Sequence, residues 1–180
     1  APDGTIIELG GRPLLLLDTP GHARHHYCIH DACSESIFSG DTFGVSYREL
    51  DVDGLEFVFP TTSPVQFDPQ AAHASVDRLM ALQPRQAFLT HFGRIRHLEH
   101  HAVQMHELID AFVEIARKAS THPERHASMV EALNALLLQK LTVHGCTLST
   151  AAITSLLKTD IELNAQGLAI WLDHAAAKAS

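Results

Sequence analysis

Three residues of metal-ligand or acid–base type each follow a short apolar run. His22 comes after "LLLLDTPG", Asp41 after "SIFSG" and His91 after "QAFLT". Imidazole nitrogen and carboxylate oxygen are the common donors for zinc, manganese or iron, and the two oxygens of one aspartate can bridge two ions. An ion so bound lowers the pKa of its water to about 7, which provides hydroxide at neutral pH. A glycine stands near each of the three, namely Gly21, Gly40 and Gly93. Glycine supplies the positive φ and close backbone approach that a compact loop around an ion needs. Each residue taken singly also fits an ordinary role: His22 in a backbone-bonded turn, Asp41 capping a turn, His91 beside a helix start. They form one site only if the elements before them deliver them to one place.

Those elements read as strands first. Thr5 to Leu9 alternates weakly, Gly10-Gly11 turns, and Leu14 to Leu17 is a continuous apolar run of the kind found in covered strands. Tyr27 to His30 and Ser36 to Ser39 flank the polar turn Asp31 to Glu35 as in a hairpin, and Leu55 to Phe59 is a further strand candidate stopped by Pro60. Asp68-Pro69 is a helix start, with Asp as N-cap and Pro at the first helical position. Ala72, Val76, Leu79 and Met80 share a face of that helix, which ends before Pro84, and "QAFLTH" follows as a short strand. This order indicates α/β layering, with sites expected at the carboxyl ends of the strands. From about His97 the chain reads as helical. One helix carries Met105, Leu108, Ile109, Phe112, Ile115 and Ala116; a second runs from His122-Pro123 to His144 before Gly145; a third covers Ser149 to Lys158; a fourth starts near Ile161 with Trp171 in its stripe.

Composition narrows the function classes. The 180 residues are 46% hydrophobic, enough for a real core. The net charge is −8 with only 13 Lys plus Arg and no basic run interleaved with aromatics, which argues against a nucleic-acid surface. No apolar stretch approaches the roughly 20 residues that cross a bilayer. The start, "APDGTIIELGG", has no signal-peptide pattern and no Met, which suggests processing or a position inside a longer protein. Three cysteines, Cys28, Cys33 and Cys146, make a poor disulfide framework and fit a reducing, cytoplasmic setting. Cys28 and Cys33 are read as small buried or half-buried residues. Fourteen histidines are many for this length, so a lone one carries little weight.

"DTPGHARHH", "FSGDTFG" and "LTHFG", in that order between about Thr5 and Arg94, resemble the second half of metallo-β-lactamase-fold hydrolases. The resemblance implies that His22 binds a first metal, Asp41 bridges two and His91 binds the second. It also implies a four-layer αββα sandwich of two similar halves. The family's His-x-His-x-Asp-His signature, which belongs to the first half, is absent from these residues; "HLEHH", His97 to His101, has the wrong spacing and reads as a solvated helix face. Residues 1–96 therefore resemble the C-terminal half of the sandwich. Residues 97–180 resemble the helical C-terminal extension of some members. Three ligands over two ions leave each with one or two, whereas a catalytic zinc keeps three, so this chain alone reads as incomplete. Its inner sheet face should be uncovered and should pair with the missing N-terminal half or with another copy in a homo-oligomer.

The parent protein is accordingly expected to be a dinuclear metal-dependent hydrolase cleaving a small ester or thioester with metal-activated water, with Asp41 and His22 as catalytic residues. Zinc is the expected metal, with iron or manganese as alternatives. Resemblance to hydroxyacylglutathione hydrolase favours a thioester. His25, His26, Tyr47 and Arg48 are the candidates for substrate contact, Arg48 for a carboxylate. Two other readings exist. One is a di-iron oxidoreductase of the same fold, although the helical part has no phosphate-binding Gly-rich turn. The other is a catalytically inactive fragment acting by association, through the helix from His97 and the Trp171 stripe.

Overall fold

A computed structural model describes residues 1–62 and 66–179. Six strands, β1 (Ile6–Leu9), β2 (Arg12–Asp18), β3 (Tyr27–Asp31), β4 (Ser36–Gly40), β5 (Gln86–Leu89) and β6 (Gly93–Ile95), form one sheet in that order. All neighbours are antiparallel except β4 and β5, which are parallel and joined by a crossover containing helix α1 (Pro69–Met80). Because β3 opposes both β2 and β4, and β5 follows β4, the carboxyl ends of β2, β4 and β5 meet at one edge. Asp68 caps α1 as its sequence suggests, its carboxylate accepting from the Ala71 N–H at 3.1 Å. Helices α2 (Leu98–Ala119), α3 (Arg125–His144) and α4 (Thr150–Ala179) complete the fold. The α/β class with a helical C-terminal half is thus observed.

The pleat sorts the strand residues between two faces. Leu17, Cys28, Ile37, Ala87, Leu89 and Ile95 are buried in a single core with Val76 and Leu79 of α1, Leu108 and Phe112 of α2, Leu133 and Leu137 of α3 and Leu157 of α4. Each large side chain so buried contributes about 1.5–3 kcal/mol. The opposite face carries Ile7, Leu16, Tyr27, Ile29, Phe38 and Phe88, and no helix covers it among the described residues; Ile7, Tyr27 and Phe38 are exposed. No described helix is long and apolar enough to cross a membrane.

Five sequence expectations change. Leu55 to Phe59 is not a ladder strand; the segment makes only the isolated bridges Val45–Phe59 and Val52–Leu55. Its apolar run reflects burial of Phe57, Val58 and Phe59 in the core, which a periodicity argument cannot separate from sheet pairing. The two C-terminal helices are one continuous helix, because Thr159 and Asp160 are polar but compatible with helix. The second helix starts at Arg125, past the His122-Pro123 turn. His101 is not on a solvated face: it is fully buried, with Nε2 3.2 Å from Glu56 Oε2. The cysteines are all free, but Cys33 is exposed rather than half-buried.

The buried histidine makes stability pH-dependent. Burial holds His101 below the usual imidazole range, against an opposing pull from Glu56, and burial also lowers His144. Both therefore take up their protons at lower pH in the native state than in the unfolded chain, where an imidazole titrates near pH 6.5. The unfolded state then binds more protons, so stability falls as pH drops through and below that value. Thermal unfolding between pH 7.5 and 5.5 should show Tm decreasing, by about 2–4 °C for each kcal/mol lost. His101→Gln should flatten that slope.

Candidate metal centre

The turn after β2 is held from beneath by α1. The Ser75 hydroxyl donates to the Pro20 carbonyl at 2.6 Å, and the Asp68 N–H donates to the Gly21 carbonyl at 2.8 Å. The helix comes so close that a Cβ on Gly21 would lie 2.5 Å from the Ala72 Cα, and Gly21 has φ +140°, so only glycine fits. The turn delivers His22 with its Nδ1 3.1 Å from the Thr61 carbonyl. A carbonyl only accepts, so Nδ1 carries the hydrogen and Nε2 presents its lone pair.

That lone pair faces Asp41, with Nε2 3.6 Å from Oδ2. His91, in the turn between β5 and β6, has its Nε2 3.6 Å from the other oxygen, Oδ1. Asp41 is positioned by His26, whose Nε2 accepts from the Asp41 backbone N–H at 2.9 Å. His26 is therefore the Nδ1–H tautomer, and its Nδ1 lies 3.0 Å from the Thr19 hydroxyl. A buried relay continues: Thr19 Oγ1 lies 3.1 Å from Cys28 Sγ, which donates to the Ser39 carbonyl at 3.1 Å. Burial, then the neighbouring His22, keeps His26 below its usual pKa and so neutral, and burial pushes the Cys28 thiol up to about 11, an unreactive value. Gly40 sits against this ring. A Cβ there would fall 2.3 Å from His26 Nε2, at a φ of +52°.

The donor set fits a cation. Asp41 Oδ1 is buried and has no hydrogen-bond partner. At 3.6 Å neither imidazole bonds to the carboxylate directly. Two donors each about 2.0–2.2 Å from a tetrahedral ion stand roughly 3.4 Å apart, so the spacing suits a shared ion. A cavity of about 10 Å³ adjoins His22, Asp41, Pro60 and Thr61. Among the described residues no group of three or more His, Cys, Asp and Glu is gathered tightly enough to hold a metal by itself. A cleft of about 700 Å³ lies on the open sheet face and contains His25 but none of the three strand-end residues. It is uncovered sheet, away from His22, Asp41 and His91.

The candidates for substrate contact separate. His25 is exposed beside the open face, while His26 supports the Asp41 loop. Tyr47 donates to Asp160 Oδ2 of α4 at 2.7 Å, and Arg48 bonds Ser46, the Arg94 carbonyl and Asp51. Burial and the Asp160 carboxylate push the Tyr47 hydroxyl above its usual pKa. The Tyr47 bond ties the loop to α4, and those of Arg48 hold it to itself and to β6. Phe92, absent from the sequence reading, is half-exposed beside His91 and stacks on Tyr47 with centroids 4.5 Å apart. Thr61 was also missed, because it acts through a backbone carbonyl that has no sequence signature.

No family model matches the chain. It is 33% identical over 101 residues to the metallo-beta-lactamase fold-containing protein ST1585 of Sulfurisphaera tokodaii, covering 55% of this chain and 35% of that protein. It is 46% identical over 39 residues to the human acyl-coenzyme A thioesterase MBLAC2, covering 22% of this chain and 14% of that one. The crystal structure of the metallo-beta-lactamase family protein TTHA1429 from Thermus thermophilus superposes with a TM-score of 0.58 at 19% identity, over 98% of this chain and 49% of that one. The chain spans about a third of ST1585 and less of MBLAC2. A sheet with helices on one face among the described residues and this superposition agree: the chain adopts part of the metallo-β-lactamase fold.

Proposed function

We propose that this chain forms the C-terminal half of a metal-dependent hydrolase that cleaves a small ester or thioester. One observation carries the reading: the two oxygens of Asp41 face two different imidazoles at the same 3.6 Å, and one of them is buried without a partner. His22 and His91 would each hold one ion of a zinc-like pair, and Asp41 would bridge them; iron or manganese would accept the same donors. Bound there, such ions supply Lewis acidity and hydroxide at neutral pH. The chain's own part is orientation. Thr61 fixes the His22 tautomer, His26 fixes the Asp41 turn, and half-exposed His91 and Phe92 border the open side. The partial similarity to the MBLAC2 thioesterase supports a thioester substrate.

Three ligands do not saturate two ions, and among the described residues no helix covers one face of the sheet. Both features support a second αβ half, in the same polypeptide or another, that covers Ile7, Tyr27 and Phe38 and brings the remaining ligands. The test is metal analysis and turnover of a thioester panel by the intact parent protein. The reading expects zinc and thioester hydrolysis, both removed by chelation. Iron with oxygen consumption, or turnover indifferent to chelators, would refute it.

A further inference from the structure

Away from the strand-end site, α1 and α2 each carry a histidine four residues before an aspartate, His73/Asp77 and His106/Asp110. That spacing puts both members on one helix face. Where the helices pack together, the pairs meet crosswise. His73 Nε2 lies 3.1 Å from Asp110 Oδ1, and His106 Nε2 lies 3.1 Å from Asp77 Oδ1. Between them, His73 Nδ1 lies 2.6 Å from His106 Nδ1. The ring centroids are 4.9 Å apart and the planes differ by 11°. That separation is the Nδ1–Nδ1 distance plus one ring radius at each end, so the rings lie nearly coplanar and end to end.

The hydrogens follow from this geometry. A carboxylate accepts only, so each Nε2 carries a hydrogen, and each Nδ1 of a neutral ring then presents its lone pair. Two lone pairs do not face each other at 2.6 Å unless something positive lies between them. A bridging hydrogen or a metal cation would meet that requirement. An imidazole whose far N–H is held by a carboxylate is also the usual prepared metal ligand, fixed in tautomer and made more basic. The site is accessible, with the His73 and His106 side chains 27% and 30% exposed, and the two aspartates add negative charge beyond the rings.

We infer that His73 and His106 form a second metal site, separate from the strand-end turns, which takes a divalent transition ion of the zinc class on the two Nδ1 atoms. Nitrogen donors exclude calcium and magnesium, which take oxygen. The Nδ1 atoms must move apart from 2.6 Å to roughly 3.4 Å, the spacing of two donors on a tetrahedral zinc, and water completes the shell. Occupancy would clasp α1 to α2.

The test is zinc binding by equilibrium dialysis at pH 7.5 to the whole chain carrying Asp41→Ala, which takes away the ligand shared at the strand-end site. One equivalent should remain. It should be lost on adding His73→Gln or His106→Gln, each checked for native circular dichroism. Asp77→Asn with Asp110→Asn should weaken it about 10–100-fold. Copper(II) in its place should give an electron-paramagnetic-resonance signal split by two nitrogens, and zinc should raise the Tm of the Asp41→Ala chain but not of the histidine variants. An Asp41→Ala chain that takes up no zinc at 100-fold molar excess, or an equivalent that survives both histidine changes, overturns the inference. A parent that loses all zinc with Asp41→Ala would refute this site and leave the proposed hydrolase intact.

Discussion

Asp41→Ala is expected to lower hydrolytic turnover of the intact protein by more than about 100-fold, beyond what losing a group that merely supports a ligand costs. It is also expected to raise the thermal stability of the metal-free chain. The two effects have one cause. Asp41 Oδ1 is buried without a partner, and Oδ2 faces the lone pair of His22 Nε2 at 3.6 Å. Without an ion, this is an uncompensated carboxylate against a second acceptor, and an unsatisfied buried polar group costs about 1–3 kcal/mol, more when charged. Removing it relieves that cost and abolishes the shared ligand. Asp41→Asn should separate the two further, because its amide N–H can donate to His22 Nε2 while the negative charge is gone. Metal-free Tm should then rise by about 2–4 °C for each kcal/mol recovered. Zinc stoichiometry, thioester turnover and metal-free Tm measured together decide the matter. A variant that loses activity and stability together would mark Asp41 as structural. A variant with full activity would remove it from the site.

The three strand-end residues were more legible in the sequence than what holds them. Each of the three residues follows an apolar run ended by turn residues, so their strand-end placement could be read locally, and the antiparallel hairpins with one parallel crossover bring the ends to one edge. The start of α1 was legible because Asp68-Pro69 is a local capping signal. The segment Leu55 to Phe59 was misread because a short buried apolar run looks the same whether it pairs in a ladder or lies across a core. The single helix α4 was read as two because polar residues at Thr159-Asp160 resemble a break; the structure gives Asp160 the Tyr47 hydroxyl instead. The supports of the site were beyond any local pattern. His22 depends on a carbonyl 39 positions away, and the loop bearing that carbonyl depends on a side chain a further hundred along. The crossed pairs of α1 and α2 lie between these cases. Their i, i+4 spacing is plain in the sequence, and only the packing of the two helices makes them meet.

That long-range support makes Asn164→Ala the second large expected effect, and it joins the helical region to the site. Asn164 is buried on α4. Its Oδ1 accepts from the Thr62 backbone N–H at 2.6 Å, and its Nδ2 donates to the Pro60 carbonyl at 3.2 Å. The Thr62 hydroxyl lies 2.9 Å from both the Oδ1 and the backbone carbonyl of Asn164 and can donate to either. Together these bonds pin the two residues that flank Thr61, whose carbonyl sets the His22 tautomer. Truncation to alanine leaves the Thr62 N–H and the Pro60 carbonyl buried and unpaired, at a cost of about 2–4 kcal/mol in folding free energy. It also lets the Thr61 carbonyl move. Loss of such an outer hydrogen bond to a ligating histidine typically weakens metal affinity about 10–100-fold. The expected result is therefore a lower Tm together with weaker zinc binding, although Asn164 touches no ligand. Lys158→Ala, on the exposed side of the same helix, should change neither. A Tm loss with unchanged zinc affinity would reduce Asn164 to a core residue. Weakened affinity in both variants would point to general loosening of α4. Affinity lost only with Asn164 would show that the helical region holds the strand-end turns in place, with His22 oriented from 142 residues downstream of its own position through a single amide.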